Sequence, residues 1–275
     1  MTRWTFKAWF ALLGLAAIGG FATPVQAGVG DLLVAPTRII LDGRRGSEIV
    51  LNNVGDEPAT YRISVEFRRM THDGQLTDVT DPTPQEKAAA DMIIYAPRRV
   101  TLAPNEPQSI RIAARPPQGL PDGEYRVHLL FRAIPPAVPV VPASAETPKG
   151  LHLQLIPIYG VTIPVIVRLG SLQATAGITN VAVEKKDGKP VVGLDLSRSG
   201  TRSTFGEVRI YKPAVKDPIA VQKAVAIYTE LNERHVQIPI VDTYKGAIDG
   251  PVTVEYFETF EDGVQKLAET QAVLR

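Results

Sequence analysis

The chain has 275 residues, no cysteine, 30 Lys plus Arg against 29 Asp plus Glu, and a formal net charge of +1. That balance excludes a nucleic-acid binder that relies on a broad basic field, and the lack of cysteine excludes a disulfide framework and a lipid-bearing cysteine. The 23 prolines and 22 glycines break up abundant aliphatic residues, which suits short strands and turns better than helices.

Residues 1–27, MTRWTFKAWFALLGLAAIGGFATPVQA, combine Arg3 and Lys7, an apolar stretch from Ala8 to Phe21, and small residues either side of Gln26. This pattern reads as a cleavable secretory signal peptide, its apolar part shorter than the roughly 20 residues of a spanning helix. No later segment is long and apolar enough to span a membrane, so residues 28–275 are expected free in the periplasm without membrane insertion.

From Asp31 onward, β-prone runs alternate with turn residues. LLVAPTRIIL ends at Asp42-Gly43 and SEIVLNNV ends before Pro58; in YRISVEF, Tyr61, Ile63, Val65 and Phe67 alternate with polar residues, the period-2 mark of a half-buried strand. Residues 78–92 read as a surface connection with a helical turn at Gln85 to Met92. VTLAP, QSIRIAAR and GEYRVHLLFRAI follow as strands. PPAVPVVPASAETPKG is a proline-stiffened loop. It leads into LHLQLIPIYGVTIPVIV (151–167), where Leu151, Leu153 and Leu155 share one face of a strand. Two readings of that face stay open on the residues alone: the core of its own sandwich, or an apolar row offered to another chain.

Leu169-Gly170-Ser171 breaks the pattern and is taken as the domain boundary, giving units at 28–169 and 170–275. The second half begins with a hairpin whose turn is Lys186-Asp187-Gly188-Lys189, since Asp-Gly supplies the positive φ angles of a tight turn. Five further β-prone runs follow. About seven strands in each half, with turns every 8 to 12 residues, predict an all-β chain of two antiparallel sandwiches; one large sandwich or barrel is the alternative.

The motifs of chemistry are missing. There is no GxSxG, no HExxH, no phosphate-binding glycine loop and no Cys/His metal spacing. His72, His128, His152 and His235 are far apart in sequence and read as solvent-facing or core-edge residues. The chain is therefore expected to be no enzyme and to carry no cofactor or metal; a hydrolase with catalytic residues scattered over distant strands is a weaker alternative.

Several segments in order resemble the periplasmic chaperones of the chaperone/usher pathway, which assemble pili and fimbriae. These are VAPTRIILDG (34–43), SEIVLNNVGDEPATYRISVEF (47–67), APRRVTLAPNEPQSIRI (96–112), LPDGEYRVHLLFRAIPP (120–136), LDLSRSGTRSTFGEVRI (194–210) and GPVTVEYF (250–257). The resemblance covers nearly all of residues 28–275. It implies two immunoglobulin-like domains set in a boomerang, and a last strand of the first domain that donates Leu151, Leu153, Leu155 and Pro157 to an incomplete pilus subunit. Such strand addition takes affinity from main-chain hydrogen bonds and specificity from alternate side chains.

The resemblance further implies that Arg38 anchors the terminal carboxylate of the subunit. The family's second anchor, a lysine on the last strand, is absent: Thr162 or Pro164 stands there, and Arg98 or Arg99 is expected to assist. A buried charge network between domains is implied at Glu124, Arg168 and Asp249. The partners implied are pilus or fimbrial subunits and an outer-membrane usher, with no nucleic acid; self-association of unliganded copies is left open. A structural or adhesive two-domain surface protein is the rival reading, because a fold does not fix a function.

Overall fold

The computed structural model of the protein describes residues 31–135, 158–260 and 263–275. The signal-like segment and Leu151, Leu153, Leu155 and Pro157 lie outside the described residues. The first half builds two sheets from β1 (Leu32–Ala35), β2 (Ile39–Leu41), β3 (Ser47–Asn53), β4 (Ala59–Glu66), β7 (Ile93–Ala96), β8 (Arg99–Leu102), β9 (Pro107–Ala114), β10 (Gly123–Ile134) and β11 (Gly160–Leu169). One sheet runs β1-β3-β9-β7 and the other β2-β11-β10-β4-β8. The chain therefore changes sheets between β1 and β2. Pro36, with no N–H to give a ladder, sits in that crossover, so the run LLVAPTRIIL forms two strands and not one.

Alternation decides which side chains meet between the sheets. Ile49 and Leu51 of β3, Ile110 of β9, Leu129 and Phe131 of β10 and Val165 of β11 are all fully buried there. Each such side chain contributes about 1.5–3 kcal/mol of gross burial energy before chain entropy is subtracted. The expected run of about seven strands is exceeded in this half. Pro97 divides β7 from β8, and TYRISVEFRRM breaks after Glu66 so that β5 (Arg68–Met70) and β6 (Leu76–Asp78) form a separate hairpin. Periodicity could not show that break, because the hairpin leaves the sheet to reach the second sandwich.

The connection at 78–92 contains α1 (Pro84–Met92). Its start is encoded locally: Pro84 opens the helix, the Thr83 hydroxyl accepts from the Glu86 N–H (3.3 Å), and Glu86 accepts in return from the Thr83 N–H (2.7 Å). Glu86 is also gripped by two nitrogens of Arg69 at 2.7 and 2.6 Å, which with these bonds holds its carboxyl at a pKa of about 2. Thr83→Ala should therefore cost about 1 kcal/mol in urea unfolding, the usual loss of a helix cap; no shift in midpoint would show that Arg69 alone positions the helix. The helix lies on β10, where the Gln85 side chain donates to the Glu124 carbonyl at 3.1 Å.

The second half repeats the construction with β12 (Ala174–Lys186), β13 (Lys189–Gly200), β14 (Thr204–Tyr211), β15 (Ala220–Ile227), β16 (Glu233–Pro239), β17 (Gly250–Phe260) and β18 (Gly263–Leu274). Its sheets run β12-β13-β16 and β15-β14-β17-β18. The β12–β13 turn is the expected one, with Asp187 at φ 50° and Gly188 at φ 76°. Leu194, Leu196, Val208, Ile210, Val254 and Tyr256 fill the core, and the buried Tyr256 hydroxyl is satisfied by Thr204 and the Val225 carbonyl, both at 3.1 Å. Among the described residues the sheets of the two halves share no strand, and each half has its own core. The chain is thus all-β, with two immunoglobulin-like sandwiches. No helix among the described residues is long and apolar enough to cross a membrane.

Candidate functional site at the junction of the sandwiches

In β10, Tyr125, Val127 and Leu129 point into the first core. Glu124, Arg126 and His128 must then line the opposite face. Register sets their neighbours on β11: Glu124 faces Arg168, Arg126 faces Ile166, and His128 faces Pro164. This face is covered by the second sandwich. Met70, Ile166, Ala226 and Tyr228 form a buried apolar cluster across the joint, with Phe205 and Leu231 packed against it.

Two of the charged residues expected to join the domains come together. Arg168 Nε lies 3.0 Å from Glu124 Oε2, on a carboxylate side chain only 1% exposed. The same oxygen accepts from the Ser203 N–H at 3.0 Å, and Arg168 Nη2 donates to the Ser203 carbonyl at 3.1 Å. The pair is thereby clamped to the strand entrance of the second sandwich. Asp249 is not part of this clamp: its backbone carbonyl accepts from Lys212, and the third place in the network belongs to the Ser203 backbone. A backbone donor has no residue-type signature, so sequence could not have indicated it.

Arg38 lies just before β2 and reaches under the second sandwich. Its guanidinium carbon is 4.6 Å from the Phe205 ring centre and 5.8 Å from that of Tyr228, and Nη2 donates to the Ser203 hydroxyl at 3.3 Å. Nε and Nη1 are shut off from water and have no hydrogen-bond partner among the described residues. Burial pulls the guanidinium pKa down. The expected help from Arg99 is corrected by topology: β8 and β2 are opposite edges of one five-stranded sheet, about 19 Å apart at the usual strand spacing. Arg99 is exposed beside Arg62, and Arg98 lies over Tyr95.

Arg126 stacks 3.6 Å over Tyr228 and donates from Nη2 to Glu230 (2.6 Å) and to the Arg68 carbonyl (3.0 Å). Glu230 also accepts from the Met70 N–H at 2.8 Å, tying the β5–β6 hairpin to the joint. His128 is fully buried, sits edge-on to Tyr228, and has no partner for either ring nitrogen among the described residues. Burial, reinforced by Arg126, Arg68 and Arg38, lowers its pKa to about 3, so the ring is neutral. The alternation of Glu124, Arg126 and His128 along GEYRVHLL was the available signal for this face; their partners Ser203, Tyr228 and Glu230 carried none.

The hairpin tip makes a third contact. The His235 N–H of β16 donates to the His72 carbonyl at 2.8 Å, and the two imidazoles stack with centres 6.4 Å apart. His72 Nε2 lies 3.4 Å from Glu233, while His235 is held between Asp195 (2.7 Å) and Glu184 (3.3 Å). Burial opposes protonation of His235, but the two carboxylates outweigh it and raise the pKa. Two histidines that look isolated in sequence are thus neighbours across the joint; His152 lies outside the described residues. Among the described residues no three potential ligands are gathered for a metal ion.

On β11, Ile163, Val165 and Val167 belong to the first core. β2 pairs with this strand only at Val165–Val167, in parallel register. From Gly160 to Pro164 the strand is paired with β10 on one side, and its other edge has no strand partner among the described residues. Beside that edge lies a cavity of about 200 Å³ lined by Leu32, Tyr61, Phe131, Tyr159, Gly160 and Val161, among others.

No family model matches the chain, and no curated protein matches it in sequence. Solved structures similar to it include the Pseudomonas aeruginosa CupB2 chaperone, 12% identical, covering 88% of this chain and 100% of that one with a TM-score of 0.46. A chain in the complex of Salmonella enterica SafA pilin with the SafB chaperone is 15% identical, with coverages of 90% and 98% and a TM-score of 0.46. The E. coli chaperone DraB is 13% identical, with the same coverages and a TM-score of 0.44. Likeness of this degree assigns no function, which must come from the residues themselves.

Proposed function

We propose that the protein is a periplasmic chaperone that holds pilus or fimbrial subunits by lending them a strand and delivers them to an outer-membrane usher. The observation that carries this reading is the edge of β11 at Gly160–Pro164 that has no strand partner among the described residues, directly downstream in sequence of the alternating Leu151, Leu153 and Leu155. An unpaired edge beside an apolar row is a template for pairing with another chain. The first unit, 28–169, would end with this donor strand, and 170–275 would brace it through the Glu124–Arg168–Ser203 clamp. Arg38, with its unpartnered nitrogens, is the residue to receive the terminal carboxylate of the subunit. The chain's sequence has no nucleotide-binding motif, so release is driven by exchange for a more stable subunit-to-subunit pairing.

The test is co-expression with a secreted pilus subunit that lacks its last strand, followed by affinity capture. The wild-type chain should retain a subunit; Leu153→Glu with Leu155→Glu should fold normally by circular dichroism and capture at least about tenfold less, since each buried leucine contributes about 1.5–3 kcal/mol. Unfolding of the double variant would place these leucines in the chain's own core. Undiminished capture by a folded variant would mean that the strand is not donated, and would leave the surface-protein reading.

A further inference from the structure

Three arginines stand side by side on the outer face of the first sandwich. Register puts Arg132 of β10 opposite Arg62 of β4, and Arg62 opposite Arg99 of β8, so the row crosses three adjacent strands over about 10 Å. All three are exposed. Like charges directly opposite one another destabilise a sheet. The same face of these strands carries the carboxylates Glu66 and Glu124, and both are taken, by Arg68 and by Arg168, each at 3.0 Å. Arg45, Arg68, Arg69, Arg126 and Arg168 of this half each have an acidic partner; among the described residues Arg62, Arg99 and Arg132 have none.

Protection of a sheet edge accounts for a charged residue on β8, the outermost strand, but β4 and β10 each have a strand on both sides. The row also has a particular place. Arg132 is opposite Gly160 of β11, the first residue of the stretch whose other edge has no strand partner among the described residues. Along β10 the cover of the second sandwich falls away: His128 is fully buried, Leu130 is half-buried and Arg132 is exposed. The step from His128 to Arg132 is about 13 Å. A flat membrane surface is therefore kept off the row by the second sandwich standing on the same face, whereas the surface of a folded protein can enter beside it.

We propose that this row is a docking surface for an acidic patch on the subunit, a set of carboxylates about 5 Å apart, the spacing that neighbouring strands or successive helical turns present. The proposal rests on the subunit-binding reading and adds what the surface of the subunit must carry. A chain paired with β11 at Gly160 lies two strand spacings from Arg132, so the body of the same partner is within reach of the row. Each guanidinium can meet a carboxylate through two parallel hydrogen bonds. Uncompensated charge in the open also attracts an acidic partner from a distance, which acts chiefly on the rate of association. Binding relieves the repulsion that the free chain carries.

The first measurements use the purified chain alone. Arg62→Gln removes the middle charge and should raise the urea midpoint at low ionic strength, with the gain vanishing in about 1 M sodium chloride, where the screening length is about 3 Å. Hexaglutamate should shift the side-chain nitrogen signals of Arg62, Arg99 and Arg132 saturably while those of Arg44 and Arg45 stay in place; hexalysine and phosphatidylglycerol vesicles should shift none of them. The triple variant Arg62→Gln, Arg99→Gln, Arg132→Gln should then associate with the subunit about tenfold more slowly than wild type at low salt, and equally fast in about 1 M sodium chloride. An unchanged midpoint in Arg62→Gln, a hexaglutamate response shared equally by Arg44, or a stronger response to the vesicles overturns the docking surface, the last by giving the row to a lipid. The two readings fail separately. Subunit capture at a rate indifferent to the triple substitution sinks the docking surface and leaves the chaperone reading intact; hexaglutamate binding at the row with no subunit captured sinks the chaperone reading and leaves the row its acidic ligand.

Discussion

Arg168→Ala should lower the stability of the folded chain by about 3 kcal/mol, read as a shifted urea midpoint. The substitution leaves the Glu124 carboxylate, whose side chain is 1% exposed, with the Ser203 N–H as its sole remaining hydrogen-bond partner among the described residues. A buried charge stripped of its counter-ion loses more than the pair was worth, because its desolvation is no longer offset. The effect belongs at the lower end of the known range because Arg168 is 20% exposed, so water can enter once the arginine is gone. The control is Glu124→Gln. Combined with Arg168→Ala it should recover part of the loss, since the neutral amide no longer demands a cation. An unchanged midpoint in Arg168→Ala would show that the clamp does not stabilise the joint.

The second large effect is an acid lability traceable to His128. Its folded pKa of about 3 lies below the ordinary imidazole value of about 6.5, so the unfolded chain takes up a proton that the folded chain refuses. A neutral imidazole held below its unfolded pKa contributes fully above that pKa and loses its contribution as pH falls from about 6.5 towards 3. Between pH 7 and pH 5 the loss is about 2 kcal/mol. In buffers free of carboxylates, wild-type stability should therefore drop over that interval, and His128→Gln should be nearly level across it. The opposite sign applies to His235, whose raised pKa stabilises the fold below about 6.5 and ceases to as pH climbs through its folded value. A His128→Gln protein that keeps the full acid-side slope would exclude the buried imidazole as its source.

Sequence periodicity revealed the sandwiches because side-chain parity is a local property. Tyr125, Val127 and Leu129 declare an inward face in any strand, and Asp187-Gly188 declares its turn. The junction was half legible for the same reason. Glu124 and Arg168 stand at strand ends where a polar residue needs a partner, and they did find each other. Their third partner was a backbone N–H, which every residue except proline possesses, so Asp249 was a reasonable candidate from sequence and the wrong one. Arg99 failed differently: it is close to Arg38 in no sense except charge type, and only strand order reveals that a whole sheet separates them. His128 was hidden by the opposite error. A histidine between Val127 and Leu129 looks like a core-edge residue until the second sandwich is laid over it.

The β5–β6 hairpin gives the joint an unusual mechanical character. A two-domain chain tied only by a short connector behaves as a swivel, free to sample many angles. Here the connector, the Arg168 clamp and the hairpin tip at His72 are three separate fixings. Three fixings that do not lie along one strand remove the rotation that two would permit. The angle between the sandwiches is then set when the chain folds, and a lesion at the distant tip of the five-residue turn between β5 and β6 would loosen the frame against which any guest must fit.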